Sequence, residues 1–157
     1  MLFLFDKKTK SLGLFQLKWQ DKYSSDLVAR RSRISNFYPK AIEWVDKMDK
    51  WVSLNNPKNI LNALCIDDTE ISNVYFFVIG RYNTHFSNQT TDERAAWGSW
   101  YHLVELYHKI KIEFDDPVKE LYFKLKADSP RNTSIKDKID KNPKLELENF
   151  SITFTNV

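Results

Sequence analysis

Glycine and cysteine are both scarce in this sequence, and each scarcity excludes a class of functional site. Only three glycines occur in 157 residues, and they are too far apart to form GxGxxG or GxxxxGK motifs. A glycine-rich phosphate-binding loop is therefore excluded. The single Cys65 excludes an internal disulfide and a cysteine-based zinc cluster, as is typical of proteins from a reducing compartment.

Long apolar runs are missing as well. The apolar start MLFLF ends after five residues at DKKTK, which is too short for the core of a signal peptide or for a membrane span. We therefore expect a cytoplasmic protein with no membrane partner.

The overall composition is that of a folded domain. Apolar residues make up 42% of the chain, charged residues 29% and aromatic residues 15%. The net charge of +3 is unevenly spread: residues 1–60 contain twelve Lys and Arg against six Asp and Glu, whereas residues 61–157 contain twelve against fifteen. The N-terminal part could face a polyanion, although a solvated lysine-rich surface has the same composition.

Two apolar runs, LFLFD (2–6) and SLGLFQLKW (11–19), predict an N-terminal β-hairpin around the polar turn KKTK. Both faces of these runs are apolar, so we expect a sheet that is covered on both sides. Apolar spacings of three, four and seven predict a helical segment from Ser24 to Ser53, which Pro39 divides into two helices or kinks. A short helix capped by Asn56 follows.

The second half of the sequence predicts one central strand and two further helices. The unbroken run SNVYFFVIGRY (72–82) indicates the strand, and a capping box from Thr90 to Glu93 begins a helix that extends to about Ile110. DDPVKELYFKLKAD predicts another helix. Residues 127–144 form a polar loop, and LELENFSITFTNV predicts a strand with a bulge near Asn149.

Several reactive or aromatic side chains favour structural roles. His102 and His108 are six residues apart on a predicted helix and lie on different faces, so they cannot share a metal; His85 stands alone. Cys65 is expected in the core and not as a nucleophile. Two tryptophan pairs have helical spacings that indicate core packing more than base stacking: Trp44 with Trp51, and Trp97 with Trp100.

The stretch FQLKW (15–19) places two polar side chains in an apolar strand. Gln16 and Lys18 are two residues apart, so they project from the same face of that strand. An ammonium group in such a position needs an anionic partner, which a binding cleft supplies as a phosphate, a carboxylate or a metal-bound water. The helix that follows adds a basic cluster that could bind phosphates or form a solvated face: Arg30, Arg31 and Arg33.

An oxygen ligand and a lysine on a strand, beside an apolar hairpin partner and before an amphipathic helix, resemble the PD-(D/E)xK nuclease superfamily. The core of that superfamily runs helix, three antiparallel strands, helix, strand, with an Asp on the second strand and (D/E/Q)xK on the third. Residues 1–82 resemble such a restriction-endonuclease-like core without its first helix and strand. The resemblance implies Mg²⁺-dependent hydrolysis of DNA, in which Gln16 and an acidic residue hold Mg²⁺ and Lys18 orients the attacking water.

Asp6 has the spacing of the acidic residue but not its position. If the turn is centred on residues 8–9, Asp6 lies opposite residues 11–12, roughly 13–17 Å from Gln16 at about 3.3 Å per residue. One metal ion cannot bridge that distance. We therefore expect the acidic partner upstream of Met1, and a chain that is truncated, a remnant or wrongly started.

The sequence thus predicts an α/β or α+β fold in a single domain over 1–157, in which a central mixed sheet with an N-terminal hairpin is flanked by helices. Residues 83–157 form a helical and C-terminal strand extension of the nuclease-like core. We expect a DNA-acting protein that is inactive or incomplete as written, with Mg²⁺ bound only where an intact acidic partner is supplied. The alternative is a non-enzymatic module of phage or mobile-element origin whose hairpin edge binds a protein partner.

Overall fold

A four-stranded mixed sheet lies at the centre of the structure, a computed structural model that describes residues 2–18, 27–82, 84, 89–110, 115–127, 144–147 and 150–153. Strands β1 (Leu2–Asp6) and β2 (Ser11–Lys18) form an antiparallel hairpin. Strand β3 (Asn73–Gly80) runs parallel to β2, and β4 (Ala95–Ser99) runs parallel to β3. The strand order is β1-β2-β3-β4, so the predicted hairpin and the predicted central strand are confirmed.

Helices cover both faces of this sheet, as the apolar character of both strand faces predicted. Helices α1 (Leu27–Leu54) and α2 (Pro57–Ala63) pack on one face, and α3 (Trp100–Ile110) and α4 (Pro117–Ala127) pack on the other. Alternate residues of each strand enter the two cores; in β3, Phe76 enters the first and Phe77 the second. The fold is therefore α+β, with a mixed sheet between helical layers.

Helix α1 is a single element with Pro39 inside it, so of the two predicted arrangements the structure has one helix and not two separate ones. An interior proline removes one backbone hydrogen bond and costs about 3 kcal/mol in an isolated helix. Phe37, Tyr38 and Ala41 are buried on either side of Pro39, which itself faces outward. Burial of these side chains against the sheet offsets the lost hydrogen bond.

Helix α2 begins as predicted. The Asn56 side-chain oxygen accepts a hydrogen bond from the Asn59 backbone N–H at 2.9 Å, and Pro57 occupies the first turn. At the other end of α2, Ile66 donates to the carbonyl of Leu61 and Cys65 has a positive φ of 56°. Cys65 is exposed in this cap, so the prediction that it lies in the core is wrong.

Strand β4 lies where the sequence predicted the first turns of a helix. The predicted capping box from Thr90 to Glu93 does not start α3; instead Ser99 caps that helix by accepting a hydrogen bond from the His102 backbone N–H at 3.2 Å. Residues 95–97 have side chains that suit a helix, but the free edge of β3 offers them a ladder of backbone hydrogen bonds. Trp97 is thereby buried, as predicted, although on a strand, whereas Trp100, which was predicted to pack in the core with it, is exposed.

The last helix and the C-terminal segment differ in how well the sequence predicted them. Helix α4 is confirmed with its acidic cap, since Asp116 accepts a hydrogen bond from the Lys119 backbone N–H at 3.0 Å. The C-terminal segment forms two antiparallel strands, β5 (Lys144–Leu147) and β6 (Phe150–Thr153), and not one bulged strand. A turn between two strands changes the phase of the alternating apolar pattern just as a bulge within one strand does, so the pattern alone does not distinguish the two. Residues 128–143 of the predicted polar loop lie outside the described residues.

None of the helices described is both long and apolar enough to span a lipid bilayer.

Gly98 allows α4 to pack closely against β4, and its replacement tests that packing. A Cβ atom at Gly98 would lie within 3.0 Å of Leu125 Cγ, and Leu125 is fully buried. We expect Gly98→Ala to lower the free energy of unfolding by about 1–3 kcal/mol through overpacking. Leu125→Ala alone should cost about 2–5 kcal/mol because it leaves a cavity.

The double variant is the control for this contact. Because the new methyl group fills part of the cavity, Gly98→Ala with Leu125→Ala should cost clearly less than the two single changes together. Chemical denaturation of the four proteins measures this difference. Additive costs would contradict direct packing of Gly98 against Leu125.

Candidate functional site

The carboxyl ends of the three parallel strands meet at one edge of the sheet. Lys18, Gly80 and Ser99 lie side by side there as the last residues of β2, β3 and β4. In open α/β sheets, ligands bind outside this edge, where strands end and helices begin. The candidate residues Gln16 and Lys18 belong to it.

Gln16 and Lys18 lie on the face of β2 that also carries Leu12 and Leu14, as predicted. Leu12 and Leu14 are fully buried in the core that α1 covers, whereas the two polar residues are only partly buried. The polar pair therefore occupies the part of β2 where the cover of α1 is incomplete.

The side-chain oxygen of Gln16 is buried without a hydrogen-bond donor. Oε1 is inaccessible to solvent and accepts no hydrogen bond from any described residue. Leaving such an acceptor unpaired costs roughly 1–3 kcal/mol. Buried polar atoms in native proteins are nearly always paired, so Gln16 Oε1 is suited to a donor that comes from a ligand.

A second atom of this kind in the described part of the chain is the hydroxyl oxygen of Thr84. Thr84 lies just beyond the end of β3, and its backbone oxygen accepts a hydrogen bond from the Tyr38 hydroxyl at 2.7 Å. The Tyr38 ring stacks on Trp97 with 5.4 Å between ring centroids. One unpaired polar atom thus lies on β2 close to its carboxyl end, and the other follows the carboxyl end of β3.

The Lys18 ammonium is partly desolvated and lies near a second cation. Partial burial lowers the pKa of Lys18, repulsion from Lys40 lowers it further, and attraction to Glu43 acts in the opposite direction. Glu43 forms its ion pair with Lys47 at 2.7 Å. Within the described ranges no carboxylate lies within ion-pairing distance of Lys18, so an external anion could approach it.

A cleft of about 540 Å³ opens beside Gln16. Leu2 is the first described residue of β1 and pairs with Phe15, so the last three residues of β2 extend past the described part of β1. The cleft lies where β2 extends past β1. Trp44 of α1 forms the opposite wall; it is half-buried and meets Phe76 edge to face. The residues that line the cleft are Leu2, Phe15, Gln16, Leu17 and Trp44.

Asp6 is fixed at the other end of the hairpin. Asp6 pairs with Ser11, as the position of the turn predicted. Ser11 and Gln16 are five residues apart on β2, so Asp6 lies roughly 16 Å from Gln16 along the strand direction. Its carboxylate accepts hydrogen bonds from the Thr9 backbone N–H at 3.1 Å and from the Thr9 hydroxyl at 2.5 Å. Asp6 therefore closes the turn and is not a neighbour of Gln16.

The described residues do not fit a Mg²⁺ site at Gln16. Mg²⁺ requires near-octahedral oxygen ligands and usually one or two carboxylates. Gln16 offers one neutral oxygen, Asp6 is held in the turn by Thr9, and Glu43 is paired with Lys47. Across the described ranges, no group of three or more His, Cys, Asp or Glu side chains is arranged to hold a metal.

The region also contains residues that the sequence did not predict, whereas only the helical position of the predicted arginine cluster is described. Arg30, Arg31 and Arg33 lie in the first turns of α1, and their side chains are outside the described part of the structure. Sequence reasoning missed Lys40 and Glu43 as neighbours of Lys18, and it favoured core packing over base stacking for Trp44. The only available signal was their spacing of three and four residues, which places them on one side of α1.

Comparison with protein-family models, curated proteins and solved structures finds no match to this chain.

The Asp6 turn can be tested by its pH dependence. Partial burial raises the pKa of Asp6, but hydrogen bonds from Thr9 and the charge of Lys8 outweigh it, so the folded-state pKa lies below the ordinary value. Asp6 then stabilises the fold above the unfolded-state pKa of about 3.9, and this contribution disappears as the pH falls through the lower folded-state pKa. We expect Asp6→Ala to cost about 1 kcal/mol at neutral pH and less at acidic pH.

A matched control is Asp115→Ala. Asp115 is fully exposed and pairs with Lys8 at 3.2 Å, so its removal deletes the same charge without a turn hydrogen bond. We expect little change in unfolding free energy for this variant. Urea denaturation at several pH values measures both variants. A more stable Asp6→Ala protein would contradict the structural role of Asp6.

Proposed function

We propose that this chain is a DNA-binding domain of PD-(D/E)xK-like architecture that contacts backbone phosphates with Lys18 at the carboxyl edge of its sheet. The element order β1-β2-α1-β3 supports this proposal, because it is the order expected of the second strand, third strand, helix and fourth strand of that superfamily. The parallel pairing of β2 with β3 is compatible with it.

The observation that carries the proposal is the state of Lys18. Its ammonium is partly desolvated, lies near Lys40 and has no carboxylate to pair with in the described ranges. A phosphate diester bound between the two lysines would relieve their repulsion and supply the missing counter-charge. The excess of basic residues in the first sixty positions acts in the same direction.

Binding without efficient cleavage is the form of this function that the donor set supports. Hydrolysis in the superfamily depends on a carboxylate beside the metal, and none of the described carboxylates is free to serve Gln16. We therefore propose that Mg²⁺-dependent cleavage by the purified chain is weak. An acidic residue, supplied from outside the described residues, would be needed for efficient hydrolysis.

The second candidate is a protein-interaction module, and an apolar groove between β1 and α3 favours it. The groove has a volume of about 220 Å³ and is lined by side chains that include Leu2, Phe3 and Trp100. Each of these three is about 40% exposed, which is unusual for large apolar residues on one continuous surface. The outer edge of β1 lies beside them.

Salt-dependent DNA binding separates the two functions. We expect labelled DNA to bind at low salt, with an affinity that falls steeply as salt rises. Lys18→Ala should weaken binding at every salt concentration and reduce the slope of log affinity against log salt by about 1. Fluorescence anisotropy titrations measure both quantities.

Lys58→Ala is the matched control for this experiment. Lys58 is exposed in the first turn of α2, which follows the far end of α1, so its loss should leave the slope nearly unchanged. An absence of DNA binding at low salt would support the protein-interaction module instead. Efficient Mg²⁺-dependent cleavage that Lys18→Ala abolishes would show that the chain has a complete catalytic site.

A further inference from the structure

The chemistry of Gln16 Oε1 restricts what the cleft beside it can bind. This atom is an acceptor, so its partner must bring a donor. Phosphate diesters at neutral pH carry no hydrogen and cannot satisfy it. A hard cation would need carboxylates that the described residues do not provide, which leaves an N–H or O–H group as the partner.

The walls of the cleft are polar and apolar in equal measure, and one of them is aromatic. Leu2 and Leu17 lie at the rim of the cleft and are about 40% exposed, but they share the strand face of Phe15, opposite that of Gln16. Phe15 is committed elsewhere, because its ring stacks on Phe77 at 4.3 Å on the opposite face of the sheet. Trp44 is therefore the aromatic wall that a planar ligand could contact, and indole rings bind such ligands by stacking.

The cleft has the size of a small-molecule site and lies close to Lys18. A volume of about 540 Å³ falls within the range of small-molecule sites, roughly 300–1,000 Å³. Lys18 lies two residues beyond Gln16 on the same face, about 7 Å along the strand. The region thus combines a buried acceptor, an aromatic wall and a cation within the length of one nucleotide.

We infer that the cleft between Gln16 and Trp44 binds an unpaired nucleobase and that the domain therefore prefers single-stranded DNA. The Gln16 side chain turns to expose Oε1, which is inaccessible to solvent in the unbound protein, and an exocyclic amine or ring N–H of the base donates to it. The base stacks on Trp44, and the adjacent phosphate pairs with Lys18. In a duplex these donors are already engaged in base pairs and the base faces are stacked, so the cleft cannot reach them. This inference rests on the proposed DNA-binding function.

Abasic oligonucleotides separate base recognition from phosphate binding. Three probes of equal length are compared by anisotropy: a single-stranded oligoadenylate, a strand with the same phosphates but tetrahydrofuran abasic units, and a duplex. We expect the base-containing single strand to bind about tenfold or more tightly than the abasic strand, from the typical contribution of one stacked base. It should also bind more tightly than the duplex.

Variants test which residues produce this preference. Gln16→Leu and Trp44→Leu should each reduce the affinity ratio of base-containing to abasic strand towards one. Lys18→Ala should weaken both affinities and leave the ratio nearly unchanged. Trp51→Leu is the matched control, since Trp51 is another half-buried tryptophan of the α1 core and is not among the residues that line the cleft; it should leave the ratio unchanged.

Thermal unfolding shows whether the variants are still folded. Because Gln16→Leu removes an unpaired buried acceptor, we expect its melting temperature to equal or exceed that of the parent chain. Trp44→Phe keeps an aromatic wall and should retain part of the preference if Trp44→Leu does not fold.

The outcomes distinguish this inference from the proposed function. Equal affinity for base-containing and abasic strands, or tighter binding of the duplex, would overturn the base pocket while leaving the phosphate contact in place. A failure of all three probes to bind would overturn the proposed function and the inference together. A ratio that survives both Gln16→Leu and Trp44→Leu would also overturn the assignment of the cleft.

Discussion

The burial of β2 and β3 on both faces is the constraint on which the rest of the structure depends. A strand that is apolar on both sides cannot face water on either, so each side requires a helical layer. The parallel pairing of β2 with β3 in turn requires a long crossover, which α1 and α2 provide. Helices α3 and α4 then cover the second face, with Leu103, Val118 and Leu125 in its core.

The two ends of the sheet also differ in how their polar groups are paired. At the amino end of β2, Asp6 closes the hairpin turn through Thr9, and Lys10 forms an ion pair with Asp68 at 2.6 Å, which fastens the turn to the segment before β3. Polar groups at that end are satisfied by each other. At the carboxyl end, Gln16 Oε1 is buried without a donor and Lys18 lacks a carboxylate among the described residues, so that end has unused capacity for a ligand.

The sequence predicts those elements whose structure is determined by a single segment of the chain. The hairpin and its register follow from the position of a polar turn between two apolar runs, and the shared face of Gln16 and Lys18 follows from strand geometry. Strand β4 could not be found in this way, because its Ala-Ala-Trp segment suits a helix in isolation and becomes a strand only against the free edge of β3. The sequence could not predict the cleft either, because the cleft depends on how far β2 extends past β1 and on how Trp44 of α1 packs opposite Gln16.

The cap at the end of α2 has a practical consequence for work on the protein. Cys65 is the chain's single cysteine, its side chain is exposed, and it follows the last turn of α2 on the approach to β3. Its thiol therefore lies towards the amino ends of the strands, opposite Lys18. A maleimide dye attached there would label every molecule at one defined position and leave the carboxyl edge unobstructed, so the native chain can be tethered or followed by fluorescence without engineered cysteines.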